Sequence, residues 1–218
     1  MAAAQSAVFT SGPGPAAGVC ETYGKAYGTR MAAGRERGTS RGATGTVVRR
    51  FRGEFHQKVD GKGRVSIPAS FRRVLETGDP NWTANADPEI IIVYGDSRRK
   101  YLECYTVDAA AEVDAKIERL PRGSTQRRML EKLFNGQSLS TTIDNTGRIV
   151  LPQKLRDKIG ISLGSDAYMS ATGDTFQIWK PETYEAVEEA RTEAWLAEQP
   201  EDFDILTLLD SAEAEPRQ

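Results

Sequence analysis

The stretch DGKGRVSIP, Asp60–Pro68, is answered 84 residues later by DNTGRIVLP, Asp144–Pro152. Asp, Gly, Arg and Pro fall in the same places, and apolar residues occupy the first and third positions after each Arg. Each piece of this sentence has a conformational meaning. The tripeptide GKG supplies the positive φ angles of a tight turn, and NTG reads as the matching turn. Alternation after the Arg suits a half-buried strand. The Pro ends that strand and suits the first turn of a helix, where its missing N–H costs nothing. A chain that repeats this order is constrained to two similar halves of strand, turn, strand and helix.

The surrounding sequence extends the duplication. FRGEFHQKVD reads as the strand before the first turn, and ASFRRVLE as the helix after it, with Phe71, Val74 and Leu75 on one face. IIIVYG and KYLECYTV read as two strands joined by the turn DSRR, followed by helical patterns at about 107–119 and 124–134. In the second half FNGQSLSTTID, RIVLP and QKLRDKIG repeat strand, strand and helix, the last closed by Gly160. DAYMSAT and TFQIWK form a hairpin through Gly173 and Asp174, and PETYEAVEEARTEAWL a closing helix. The halves match at Phe51/Phe134, Gly53/Gly136, Asp60/Asp144, Gly63/Gly147, Arg64/Arg148, Pro68/Pro152 and Arg72/Arg156. The expected fold class is therefore mixed α/β (α+β) with an internal duplication. Residues 1–47, rich in Gly, Ala, Ser and Thr and without apolar period, are expected to be a disordered extension. Residues 48–134 and 135–200 are expected to hold the two copies, and 201–218 an acidic tail in which FDILTLL is a short docking segment.

Composition narrows the function classes. One histidine, His56, cannot supply a metal site resting on several imidazoles, nor the base for a nucleophile, and it is expected to be structural or incidental. Cys20 and Cys104 form neither a disulfide framework nor a CxxC site, and Cys104 is expected to be a small buried hydrophobe. GKG lacks both the GxxxxGK[ST] phosphate-loop signature and the dinucleotide pattern, so an enzyme is disfavoured, though carboxylate chemistry stays open. No cofactor, metal or small-molecule substrate is expected. Neither a spanning segment nor an export signal is visible, so a cytoplasmic location is expected, without a membrane partner.

The net charge of −2 conceals a gradient. From Arg49 to Arg73 eight Lys or Arg stand against Glu54 and Asp60, whereas from Glu182 to Gln218 twelve acidic residues stand against Arg191 and Arg217. One region is positive enough to meet a polyanion. Arginine suits guanine because its planar fork can donate two parallel bonds to O6 and N7, provided something aims it. An Asp four residues earlier, across the turn, can accept from the guanidinium or from turn N–H groups and leave a donor edge free. Asp60, Arg64, Asp144 and Arg148 are therefore the candidate DNA-reading set. Lys58, Lys62, Arg52, Arg72 and Arg73, with Lys154, Arg156 and Lys158 in the second copy, are candidates for phosphate contact. The competing reading of each Asp/Arg pair is a device that only fastens its turn. The second copy, with Asp157 and Asp166 nearby, leans further toward that role. Leu155, Ile159 and Ile161 are expected in the core with Phe71, Val74 and Leu75. Trp179 and Tyr184 are expected to serve packing or a subunit interface, and the acidic helix from Glu182 to be a solvated face.

With both Asp-x-x-x-Arg motifs in matching contexts, Asp60–Arg64 and Asp144–Arg148, the sequence resembles the MraZ family, within the AbrB-like group of swapped-hairpin DNA-binding proteins. The resemblance covers roughly residues 50–196, and FRGEF is similar to the family's usual start. It implies two tandem swapped-hairpin repeats in a pseudo-twofold monomer and ring-like homo-oligomers. It also implies a nucleoid-associated repressor that binds promoter direct repeats in a bacterial division and cell-wall gene cluster, its own promoter included. The family pattern lacks residues 1–47, so a mis-assigned start codon is the alternative expectation for them. A rival within the same fold is an antitoxin-like or scaffold protein that binds a protein partner.

Overall fold

A computed structural model of the chain describes residues 50–84 and 86–209. Region 1–47, Cys20 and the last residues of the acidic tail lie outside them. The first copy supplies β1 (Glu54–Lys58), β2 (Arg64–Ser66), α1 (Ala69–Thr77), β3 (Glu89–Val93), β4 (Tyr101–Tyr105), α2 (Val107–Glu118) and α3 (Thr125–Leu130). The second supplies β5 (Ser138–Thr142), β6 (Arg148–Val150), α4 (Gln153–Ile159), β7 (Asp166–Ala171), β8 (Thr175–Trp179), α5 (Pro181–Tyr184) and α6 (Ala190–Ala197). A wide π turn at Glu131–Asn135 extends α3, and a second at Glu185–Glu189 joins α5 to α6.

Local chemistry explains these elements. Pro68 and Pro152 stand at the N-caps of α1 and α4, one position before the helical turn in which the sequence places them. Thr106 and Ser124 cap α2 and α3 by accepting the N–H groups of Ala109 and Arg127. Helix α4 ends at Gly160, whose φ of +70° is open to glycine at little cost. The periodic faces behave as expected, with Phe71, Val74, Leu75, Leu155, Ile159 and Ile161 all buried.

The strand partners are where the halves interlock. Each turn joins its two strands, but β1 and β2 do not form an extended hairpin with one another. β1 pairs antiparallel with β7, and β5 with β3, so the first strand of each copy is held by the third strand of the other. With β4 paired to β8 and β7 to β8, the sheet order is β1-β7-β8-β4-β3-β5. That order reads the same backwards when every strand is exchanged for its counterpart four places on. The second strands, β2 and β6, make a separate two-stranded antiparallel ladder.

A single core lies beneath both sheets and takes residues from both copies. Phe71 meets Phe51, Phe55 and Phe176 at ring-centroid distances of 5.2, 5.2 and 4.8 Å, while Val65, Ile149 and Leu151 close it under the ladder. Cys104 is fully buried in it, and Trp179, 1% exposed, packs against Tyr101 and Tyr184.

Two expectations need correction. Phe51 is buried and bridges to Gly173, whereas Phe134 is half-buried within the π turn and packs on Tyr105. Their glycines differ too, with φ +94° at Gly53 and −72° at Gly136. The duplication thus loses its structural equivalence at this end, because α3 and its π turn wind residues 131–135 into helix. Within the GKG and NTG turns only the final glycines, Gly63 and Gly147, take positive φ, at +77° and +79°.

Candidate functional site

The two motifs come together on the β2–β6 ladder. Val65 lies opposite Ile149, and both point into the core. Strand alternation therefore turns Arg64, Ser66, Arg148 and Val150 to the other face. Arg64 lies opposite Val150 and Ser66 opposite Arg148, so the two arginines stand on one diagonal of this outer face.

Each arginine is anchored by the Asp of its own turn. Asp60 Oδ1 accepts the backbone N–H groups of Lys62 at 2.8 Å and Arg64 at 2.9 Å. Its Oδ2 accepts Arg64 Nε–H at 2.7 Å. The backbone closes the same turn through Asp60 N to Arg64 O and Gly63 N to Asp60 O. In the second copy Asp144 Oδ1 accepts from Thr146 N and Arg148 N, both at 2.9 Å, and from the Thr146 hydroxyl. Here Arg148 Nε stays 3.6 Å from Asp144 Oδ2, beyond a hydrogen bond. The first arginine is held more tightly than the second. Both side chains are 30% exposed, and among the described residues their terminal nitrogens make no hydrogen bond.

Both carboxyls are held below their usual range. Acceptance of the Arg64 backbone N–H is the chief cause that lowers the Asp60 carboxyl from 3.8 to about 2. Asp144 is also lowered, first by the Thr146 hydroxyl and then by the Arg148 N–H.

A reciprocal contact surrounds the tips. Arg72 of α1 lies over Gly147, where a Cβ would come within 2.6 Å of its terminal nitrogen, and Arg156 of α4 lies over Gly63, 3.4 Å from the equivalent point. Each turn is thus covered by an arginine from the other copy. The ladder continues past the strands in the same crossed sense, with Leu151 N donating to Gly63 O and Ile67 N to Gly147 O, both at 2.8 Å.

The remaining candidates separate into groups. Lys62 is exposed at the first turn, beside the ladder. Lys154 donates to Tyr94 Oη at 3.0 Å, with its ammonium 4.6 Å from the ring centre. Lys158 donates to the Asp96 carbonyl at 2.7 Å. Arg52, Lys58 and Arg73 are exposed, and among the described residues no bond links them to the ladder. Ser66 and Val150, the latter 51% exposed, belong to the outer face and were not singled out from the sequence. The period-two alternation around Val65 and Ile149 is the signal that points to them.

The family model described as "MraZ protein, putative antitoxin-like" matches residues 134–204. The chain is 66% identical over 164 residues to the transcriptional regulator MraZ of Ruegeria sp. strain TM1040, covering 75% of this chain and 97% of that protein. It is 62% identical over 166 residues to the protein of that name from Ruegeria pomeroyi, covering 76% and 98%. Against the Cereibacter sphaeroides ATCC 17029 protein of the same name, identity is 44% over 165 residues, covering 73% and 95%. The chain belongs to the MraZ family.

Proposed function

We propose that this chain is a sequence-specific, DNA-binding transcriptional regulator and that the outer face of the β2–β6 ladder is its reading head. One observation carries this: the arginines of both motifs share that face, each anchored beside the Asp of its own turn. A two-stranded ladder about 5 Å between strands enters a major groove about 12 Å wide. Arg64 and Arg148 then donate to guanine O6 and N7, and Val150 offers its methyls to a neighbouring thymine. Asp60 and Asp144 orient the arginines and do not themselves touch bases. Lys62, Arg72 and Arg156 contact phosphates beside the ladder, and Arg52, Lys58, Arg73 and Lys154 contribute to the longer-range positive field.

In this reading, residues 48–134 and 135–200 are two tandem AbrB-like swapped-hairpin repeats related by a pseudo-twofold. The crossed pairings of β1 with β7 and β5 with β3 support it. One ladder offers few base contacts, so tight binding requires several copies. A ring-like homo-oligomer on promoter direct repeats gains affinity through effective concentration. The resemblance that suggests this assembly also suggests repression of a division and cell-wall gene cluster from the nucleoid, with the regulator's own promoter among its targets.

Gel-shift and size-exclusion measurements on the same samples test the reading. Arg64→Ala abolishes specific binding and leaves the oligomer intact. Arg148→Ala weakens binding less, because its guanidinium is held less firmly. Lys62→Ala lowers affinity on all sequences and flattens the salt slope by about one unit. Unchanged specific binding by Arg64→Ala removes the ladder from the site. The antitoxin-like reading, which the family description favours, is supported instead if the chain captures a protein partner and ignores DNA.

A further inference from the structure

The two tips of the ladder share one backbone form and differ in side-chain bonding. In each turn the Asp N–H bonds the Arg carbonyl and the final glycine N–H bonds the Asp carbonyl, with that glycine at φ +77° or +79°. Each Asp Oδ1 also accepts the backbone N–H groups of the residues two and four places on, at 2.8 or 2.9 Å. An arginine from the other copy covers each turn, Arg156 over Gly63 and Arg72 over Gly147.

What differs is the residue two places after the Asp. In the first turn it is Lys62, whose side chain makes no hydrogen bond among the described residues. In the second it is Thr146, exposed at the tip, whose hydroxyl donates to Asp144 Oδ1 at 2.5 Å. Three donors therefore crowd one oxygen of Asp144, against two at Asp60. A hydroxyl on a carboxylate makes a short, strong bond, and here it draws the group toward the turn. The arginines register the difference. Arg64 Nε reaches Asp60 Oδ2 at 2.7 Å, whereas Arg148 Nε stays 3.6 Å from Asp144 Oδ2, although both side chains are equally exposed. Arg148 Nε is buried and, among the described residues, has no hydrogen-bond partner. An unpaired buried donor costs free energy, so nothing but packing fixes this guanidinium in place.

We propose that Thr146 is a positioning residue that makes the second tip a permissive reader. By holding Asp144 back, its hydroxyl leaves Arg148 free to tilt about its stem and to meet purine acceptors at more than one angle. Arg64, fixed at Nε by Asp60, presents its terminal nitrogens in one orientation and accepts guanine with little tolerance. A head with one exacting and one permissive tip binds a site more tightly in one direction than in the other, although its two turns share one backbone form. The inference deepens the reading-head proposal above and rests on it.

Binding-site selection with the full-length chain gives the preferred duplex, and affinities for duplexes changed at single base pairs give the discrimination at each position. Arg64→Ala and Arg148→Ala assign positions to tips. In the wild type a changed pair under Arg64 lowers affinity about tenfold or more, and one under Arg148 about threefold or less. Thr146→Val, which removes the hydroxyl and keeps the shape, raises the second figure toward the first and leaves the first unchanged. Thr146→Ser, which keeps the hydroxyl, behaves as the wild type. Loss of a purely structural contact would instead weaken all duplexes alike. Arginine side-chain NMR of the free chain is the second measure: the bonded Arg64 Nε–H resonates downfield of that of Arg148, and Thr146→Val moves Arg148 toward it. Thr146→Lys, which copies the first turn, takes the place of Thr146→Val should that variant not fold. If neither arginine variant changes the base profile, the reading head itself is overturned and this inference with it. If the profile follows the arginines but Thr146→Val sharpens no position, or Thr146→Ser sharpens it equally, only the role of Thr146 is overturned.

Discussion

Gly63→Ala and Gly147→Ala probe the crossed arrangement of arginines over turns. Both glycines have φ close to the left-handed minimum, +77° and +79°, and an L-residue there loses about 1–2 kcal/mol. The added methyl meets different neighbours at the two sites. At Gly147 it comes 2.6 Å from an Arg72 terminal nitrogen and 2.9 Å from Arg72 Cζ. At Gly63 the nearest atom is the Leu151 carbonyl oxygen at 3.0 Å, with Arg156 further off at 3.4 Å. A guanidinium on a flexible stem can swing away. The Leu151 backbone carbonyl cannot, since the N–H of the same residue is bonded to Gly63 O at 2.8 Å. Gly63→Ala therefore adds a backbone displacement of roughly 1 kcal/mol to the left-handed cost, for about 2–3 kcal/mol in all. Gly147→Ala stays near about 1–2 kcal/mol and evicts Arg72. At about 2–4 °C per kcal/mol, Tm falls by roughly 4–12 °C and 2–8 °C. Double-mutant cycles by chemical denaturation sharpen the test. Arg72→Ala combined with Gly147→Ala falls short of additivity by about 0.5 kcal/mol or more, whereas Arg156→Ala with Gly63→Ala is additive within about 0.5 kcal/mol. Equal losses and additive cycles at both sites would refute the placement of each arginine over the opposite turn.

Other perturbations reach the core and the turn carboxylates. Because the folded Asp60 carboxyl is lowered from 3.8 to about 2, its contribution to stability is fully present above pH 4 and lost as pH falls from 4 to 2. Denaturation across that range, compared with Asp60→Asn, shows a larger loss in the wild type than in the variant, which keeps the lowered carboxyl of Asp144; identical profiles would contradict the turn geometry. Phe71→Ala, at the centre of the aromatic cluster, costs about 3–5 kcal/mol by denaturant titration. Cys104 is fully buried and its thiol is pushed well up by that burial, so a thiol reagent at neutral pH labels it only at the rate of unfolding.

Much of the site was legible from short spans of sequence. Asp60 reaches Lys62 and Arg64, and Asp144 reaches Thr146 and Arg148, across separations of two and four residues. Contacts that local need only the residue types and a glycine in the right place. The buried faces of α1 and α4 and the strand alternation at Val65 and Ile149 were legible for the same reason. Equivalence of Phe51 with Phe134 was misread, because identity of residue says nothing about whether helix or strand winds through it.

By itself, then, the sequence determined the elements, their order, the two Asp-anchored turns and which side chains each element buries, since all of these follow from neighbours along the chain. Tertiary structure decided that β1 is held by β7, that both arginines face outward from one ladder, and that Arg72 and Arg156 cover each other's turns. Backbone donors and acceptors at a strand edge are alike in every strand, so local sequence cannot choose among partners. The choice falls to whichever pairing lets Phe51, Phe71 and Phe176 meet in one core.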